Sequence, residues 1–280
     1  MDACALQGDY SLFSIQPDDL QGLKDLLDRV RSGEIQGLNV TIPHKQNVIP
    51  LLNELTTTAR AIGAVNTIFM QEGKLTGDNT DVPGFLADLK KFAGNWESEI
   101  DNRKSPIINH KSALVLGAGG SARAVTYALI NDGWDVTIAA RRIEQARELI
   151  PQLPNPESRI TSIEFTAIHS LLPTLSLIVN TTPLGMSPNI DSSPWPTDLP
   201  FPSNAATYDL VYNPLETKLV HDARATGLPA ITGLGMLIEQ AALSFEIWTG
   251  CNPPRETLWN KLNTNHNYQL PETKPCPYAS

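Results

Sequence analysis

Three groups of residues in this 280-residue chain have the types and spacing to do chemistry. The first is a glycine-rich turn within Ser112–Val125, S-A-L-V-L-G-A-G-G-S-A-R-A-V. An apolar run, Ala113–Leu116, stops at Gly117; Gly119 and Gly120 follow, and Ala122–Ile130 continues at helical spacing. A strand that turns on glycines into a helix leaves bare backbone N–H groups at a helix N-terminus, where no Cβ blocks a phosphate and the dipole favours negative charge. The spacing is G-x-G-G, with Ala124 near the place of a third small residue. It predicts dinucleotide binding, although such turns also occur in units that bind nothing.

The second group follows it. Asp135–Ala139 predicts the next strand, and it ends at Ala140-Arg141-Arg142 with no carboxylate. An acidic residue there would hold a ribose 2′-hydroxyl; two arginines would pair a 2′-phosphate instead, which favours NADP over NAD. The competing reading is a solvated start to the helix Ile143–Ile150. The third group is Lys45, in N-V-T-I-P-H-K (39–45), with Asp81, in G-D-N-T-D (77–81). If they meet in a cleft, the carboxylate would hold the amine while a proton moves to or from a hydroxyl. Separately, each reads as a surface lysine and a helix N-cap.

The elements that must position these residues predict two α/β domains. Tyr10–Ile15 is expected as a strand, and Pro17 opens a helix with Leu20, Leu23, Leu26, Leu27 and Val30 at three- and four-residue spacing, stopped by Gly33. Gly37–Ile42 is the next strand, so strand–helix–strand implies a parallel pair. Ala61–Met70 and Leu75–Gly77 read as a hairpin. Val82–Phe92 is helical, and 94–111 is an aperiodic linker. In the glycine-turn unit, Leu177–Asn180 is expected as the third strand and 187–204 as a proline-rich loop. Thr207–Tyr212, a helix at 215–226 and a short strand at 229–232 follow. Gly233-Leu234-Gly235 then leads into a helix over 236–249, with Leu237, Ala241 and Phe245 on one face, and a last helix ends near Leu262. Residues 263–280 are a polar tail.

Composition excludes several classes. Acidic residues outnumber basic ones, 30 to 21, and no basic run suggests nucleic acid. No apolar stretch is long enough to span a bilayer, and Met1–Cys4 is no signal peptide. The five histidines are scattered, and Cys4, Cys251 and Cys276 lack metal-ligand spacing. No metal is expected, and three widely separated cysteines point to a reducing cytoplasm.

These segments together resemble the shikimate dehydrogenase family from about Asp9 to Leu262. Beyond the stretches quoted, the likeness rests on G-A-V-N-T (63–67), N-T-T-P-L-G-M (180–186), Y-D-L-V-Y-N-P (208–214) and G-L-G-M-L-I-E-Q (233–240). It implies a substrate domain with a mainly parallel sheet, from residues 1–82 and 235–262, around a Rossmann-like NADP-binding domain, residues 83–234. The implied reaction is the reversible, NADP-dependent reduction of 3-dehydroshikimate to shikimate in chorismate and aromatic amino-acid biosynthesis. Lys45 and Asp81 match the catalytic pair. Thr41, Asn66, Asp81, Tyr212 and Gln240 match substrate-binding positions. Gly117, Ala118, Gly119, Gly120 and Ser121 match the pyrophosphate turn, Ala140, Arg141 and Arg142 the 2′-phosphate region, and Leu210 and Gly233 the nicotinamide lining. The expected partner is the small-molecule substrate, with a homodimer as the candidate assembly.

The sequence also departs from that pattern. Family members begin with a strand and a glycine-rich turn leading to Ser-x-Ser, whose hydroxyls hold the substrate carboxylate. Here Asp2–Leu6 looks like the helix that follows that segment, so the expectation is that upstream residues were omitted or lost. Ser11 and Ser14 lie on the later strand and are not substitutes. Thr57 stands where an acid is frequent near the nicotinamide, and His44 where an aromatic or proline is common. The rival readings are a quinate/shikimate dehydrogenase, an inactive NADP-binding homologue, and a module whose missing strand comes from another chain.

Overall fold

The computed structural model describes residues 4–99, 111–153 and 159–266. In the first unit, helix α1 (Leu20–Arg31) is capped by the Asp19 carboxylate, which accepts from the Gly22 N–H at 2.8 Å. Its buried stripe is Leu23, Leu26, Leu27 and Val30, and the chain leaves it through Gly33 at φ +79°. The stripe packs with Val48, Val65, Ile68 and Leu75 on a sheet of β1 (Gly37–Asn39), β2 (Glu54–Leu55), β3 (Thr67–Gln71) and β4 (Lys74–Asp78), in the order β1-β3-β4-β2. Two short helices, α2 (His44–Asn47) and α3 (Thr57–Ile62), lie between β1 and β3.

The mainly parallel sheet expected here is not what forms. The β1–β3 and β3–β4 pairs are antiparallel, and only β2–β4 is parallel. The β3–β4 hairpin turns on Glu72 and Gly73, both at positive φ, which matches the twist of antiparallel strands. Tyr10–Ile15 forms no strand: Tyr10 and Leu12 are 66% and 92% exposed, so the segment buries too little apolar surface to hold a sheet edge. Without it the anticipated parallel pair has no first member. Leu6 and its described neighbours are not α-helical, Ala61 and Ile62 end α3 rather than begin a hairpin, and α1 starts at Leu20, three residues after Pro17.

In the second unit the sheet is parallel throughout. It contains β5 (Ser112–Leu116), β6 (Asp135–Ala140), β7 (Ile160–Glu164), β8 (Leu177–Asn180), β9 (Ala206–Asp209) and β10 (Ala230–Thr232), in the order β10-β9-β8-β5-β6-β7. The strand order reverses at β5, the kind of place where open α/β sheets bind ligands. Along β5, Ala113 and Val115 join one core while Leu114 and Leu116 join the other, so the strand is buried on both faces. Strand β7 escaped the sequence because I-T-S-I-E is a half-buried edge strand with only two apolar residues. The β8 segment is therefore the fourth strand of this unit, not the third.

Helix α4 (Asp81–Glu99) leaves the first unit and packs Val82, Phe85 and Leu89 into the second. It continues past Gly94, where a linker was expected; residues 100–110 lie outside the described residues. Helices α5 (Gly120–Asn131), α6 (Ile143–Leu149) and α7 (Lys218–Ala225) flank the second sheet. Helix α8 (Leu234–Thr249) returns alongside α4, and α9 (Arg255–His266) follows it. The buried face of α8 is Leu234, Ile238, Ala242 and Ser244 rather than Leu237, Ala241 and Phe245. A disulfide joins Cys4 to Cys251, two cysteines 247 residues apart that were expected to be reduced.

Candidate active site

Three of the candidate residues are brought into direct contact. After β1 the chain turns through Thr41–Pro43, where the His44 N–H donates to the Thr41 carbonyl at 2.9 Å, and Lys45 falls in α2. Its carbonyl accepts from the Val65 N–H at 2.8 Å, which fixes the lysine backbone. The Nζ of Lys45 then lies 2.8 Å from Oδ2 of Asp81. Their side chains are 29% and 17% exposed, so the pair is shielded yet open to a ligand.

Asp81 opens α4, where the helix dipole favours its charge, and its N–H donates to Asn79 Oδ1 at 3.1 Å. Its other oxygen, Oδ1, accepts from Asn66 Nδ2 at 2.9 Å. Asn66 is buried and oriented in turn, because its Oδ1 accepts from the Thr80 N–H at 2.8 Å and from Thr67 Oγ1 at 3.0 Å.

Behind this pair is a group of buried hydroxyls that the sequence reading missed. Ser244 Oγ on α8 lies 2.7 Å from Thr67 Oγ1 and 3.1 Å from Thr80 Oγ1, and accepts from Asn39 Nδ2 at 3.0 Å. The only signal available for Ser244 was its place one turn beyond Gln240. Gln240 itself is half-buried, with Nε2 donating to the Leu237 carbonyl at 3.1 Å. It packs on Gly84 of α4, where a Cβ would come within 2.9 Å of the Gln240 nitrogen. Thr41 is exposed beside the lysine turn. Tyr212 is 45% exposed on the loop after β9 and makes no side-chain hydrogen bond to the others among the described residues. Tyr10, on the segment expected as a strand, donates to Asn39 Oδ1 at 3.2 Å.

In the second unit, Gly117 follows β5 at φ +110°, and a Cβ there would meet Thr181 Oγ1 at 2.8 Å. Both facts require glycine. Ala118 follows, then Gly119 caps α5 with no side-chain hydrogen bond to the first turn. Open space surrounds the Cβ positions of Gly119 and Gly120. The N–H groups of Gly120 and Ser121 thus stand at a helix N-terminus that no side chain caps, a fit for a pyrophosphate. Ala140 closes β6, and Arg141 and Arg142 beyond it are exposed, without an ion pair among the described residues. Leu210 and Gly233 touch, since a Cβ on Gly233 would lie 2.4 Å from the Leu210 carbonyl oxygen.

Two buried carboxylates complete the surroundings. Asp209, at the end of β9, accepts from Thr217 Oγ1 at 2.7 Å, Asn180 Nδ2 at 2.8 Å and the Val211 N–H at 3.0 Å. It thereby ties the ends of β8 and β9 to the start of α7. Burial pushes its carboxyl up to about 6, against the three hydrogen bonds that lower it. Asp88 on α4 is likewise raised to about 6 by burial, although Tyr208 donates to it at 2.6 Å.

Known proteins share this arrangement of chain. Residues 1–68 match the model of the shikimate dehydrogenase substrate binding domain, residues 99–186 that of shikimate/quinate 5-dehydrogenase, and residues 233–262 the shikimate 5′-dehydrogenase C-terminal domain. The shikimate dehydrogenase (NADP(+)) of Salinibacter ruber is 40% identical over 88% of this chain and 84% of its own. Shikimate 5-dehydrogenase from Thermus thermophilus, solved with NADP(H) and shikimate, is 36% identical over 88% of this chain and 84% of that one, with a TM-score of 0.72. Quinate dehydrogenase from Corynebacterium glutamicum, solved with NAD, is 31% identical, covers 86% and 82% of the two chains, and has the same TM-score. With 40% identity over 88% of its length, the chain belongs to the shikimate dehydrogenase family.

Proposed function

We propose that this protein catalyses the reversible, NADP-dependent reduction of 3-dehydroshikimate to shikimate, a step toward chorismate and the aromatic amino acids. The observation that carries the reading is the shielded Lys45–Asp81 contact at 2.8 Å, with Asn66 holding the second aspartate oxygen. In the reduction the carbonyl carbon takes a hydride and its oxygen takes a proton. NADPH, when bound, supplies the hydride. The Lys45 ammonium gives its proton to the oxygen as that atom becomes negative, and the neutral amine regains one from solvent. In the other direction the amine accepts the hydroxyl proton. Asp81 keeps the nitrogen in place in either state, and Asn66 keeps Asp81 from turning away.

The cofactor assignment rests on the uncapped start of α5, the glycine positions and the arginines. Gly117, Ala118, Gly119, Gly120 and Ser121 would hold the pyrophosphate, Ala140, Arg141 and Arg142 the 2′-phosphate, and Leu210 and Gly233 the nicotinamide. Thr41, Asn66, Asp81, Tyr212 and Gln240 would hydrogen-bond the hydroxylated substrate, each fixed donor or acceptor lowering the freedom lost on binding. In this reading 1–82 and 235–262 form the substrate-binding part, and 83–234 the NADP-binding part. The quaternary proposal is a homodimer, and among the described residues no helix is long and apolar enough to cross a membrane. The cytoplasm is the compartment proposed. The Cys4–Cys251 disulfide is the observation against it, since such bonds are rare in a reducing cell interior.

The test is the initial rate of NADP⁺ reduction with shikimate as donor, repeated with quinate and with NAD⁺. A saturable rate with shikimate and NADP⁺ supports the reading. A faster rate with quinate and NAD⁺ would move the assignment to a quinate dehydrogenase.

A further inference from the structure

Helix α4 carries two aspartates seven residues apart, about two turns and 10 Å along one face. The first, Asp81, contacts Lys45. The second, Asp88, is 7% exposed and meets two other elements, strand β9 and the first turn of α8. Its Oδ2 accepts from the hydroxyl of Tyr208 at 2.6 Å, and Tyr208 is fully buried in β9 with its ring edge-on to Phe85 at 5.0 Å. Its other oxygen faces the first turn of α8 at Gly235, where the Met236 backbone N–H favours the carboxylate's charge. A Cβ on Gly235 would fall 1.9 Å from Oδ1, so glycine is required there for the carboxylate to reach the helix. Tyr208 is two residues before Leu210, and Gly235 two residues after Gly233, the touching pair proposed to line the nicotinamide.

A buried carboxylate is costly unless its hydrogen bonds repay the lost water. A carboxylate at a core position on α4 adds little to stability by itself, so its place there needs another account. The contacts supply one. A single rigid helix connects the proton-transferring pair at its first residue with the strand end and helix start that flank the cofactor position.

We propose that Asp88 is a positioning residue: through Tyr208 and the first turn of α8 it sets where Leu210 and Gly233 hold the nicotinamide relative to Lys45 and Asp81. This rests on the NADP-dependent reaction proposed above. Hydride transfer depends on sub-ångström placement of donor and acceptor, so loosening this tie slows the chemical step more than it weakens binding.

The experiment compares wild type, Tyr208→Phe, Asp88→Ala and Asp88→Asn, all assayed well below their melting temperatures. Three quantities are read: kcat and KM, the isotope effect with NADPH deuterated at the transferred position, and the emission of bound NADPH. For Tyr208→Phe the expected result is kcat down about tenfold with KM values within about twofold and a larger isotope effect. Bound-NADPH emission should change although its Kd does not. Asp88→Ala should behave in the same way, while Asp88→Asn, which keeps an oxygen for the tyrosine, should stay within about threefold of wild type. Variants that melt lower but keep kcat, isotope effect and emission would make the tie purely structural and overturn the proposal. If wild type binds NADPH without turning over shikimate, the proposed reaction falls. The emission comparison then still decides whether Asp88 and Tyr208 set the nicotinamide environment, and unchanged emission overturns the inference.

Discussion

Lys45 Nζ and Asp81 Oδ2 stand 2.8 Å apart although 36 residues of chain separate them. Helix α2 supplies one and the first residue of α4 the other, and the β3–β4 hairpin lies between. Lys45→Ala removes the proposed proton carrier without touching the glycine turn. Steady-state kinetics should show kcat lower by about 10²–10⁴, the usual contribution of a placed general acid. Fluorescence titration should give an unchanged Kd for NADPH. A variant that retains most of its kcat would remove Lys45 from the chemistry.

Arg141 and Arg142 are exposed, with no carboxylate at the end of β6. Replacing both with glutamate puts like charge where a 2′-phosphate is expected. The KM for NADP⁺ should rise about 10–100-fold, in line with losing one or two charge-assisted hydrogen bonds, while that for NAD⁺ moves little. An unchanged ratio between the two cofactors would place the 2′-phosphate elsewhere.

Asp209 gives a pH dependence whose sign is opposite to that of a surface ion pair. Its folded carboxyl titrates at about 6, above the ordinary value of 3.8, because burial disfavours the charge. Between those values the folded state binds the extra proton, so this group's contribution to stability is present at low pH and is lost as pH rises through about 6. Asp209→Asn does not titrate. In urea unfolding the variant should therefore gain on wild type between pH 4 and pH 6.5, by about 2–3 kcal/mol. A difference that stays flat over that range would mean that the carboxyl is not raised.

The Cys4–Cys251 bond closes nearly the whole chain into one loop and pins the exposed segment that carries Tyr10, Leu12 and Phe13. Cys4→Ser should lower unfolding free energy by about 2–4 kcal/mol under oxidising conditions, and by nothing once a reductant is present. Limited proteolysis should then cut the 5–16 segment faster. Equal stability of the two proteins without reductant would show that the bond contributes nothing.

Much of the second unit was legible because its signals are local. The apolar run of β5, the glycines that follow and the spacing of α5 lie within one short stretch, and each residue type has a direct backbone consequence. The first unit was less so. Tyr10–Ile15 alternates like a strand, but alternation does not say whether a neighbouring strand exists, and Tyr10 and Leu12 are left in solvent. Strand β7 failed the other way, since an edge needs few apolar residues to pair. The face of α8 was misjudged because the helix packs on α4 at Gly84 and Gly235, where missing side chains rather than large ones define the contact.

The sequence by itself determined the glycine turn at 117–121, the arginines in place of a carboxylate, and Lys45 and Asp81 as candidates, all from residue type and near-neighbour spacing; Asn66 entered only through the family resemblance. Only the tertiary structure decided that Lys45 meets Asp81, that Thr67 and Thr80, themselves bonded to Ser244, hold Asn66, and that Asp88 is buried against Tyr208 120 residues away. The physical reason is that burial and hydrogen-bond partnership belong to pairs of distant residues. A polar side chain in a sequence gives no sign of whether water or another part of the chain will satisfy it.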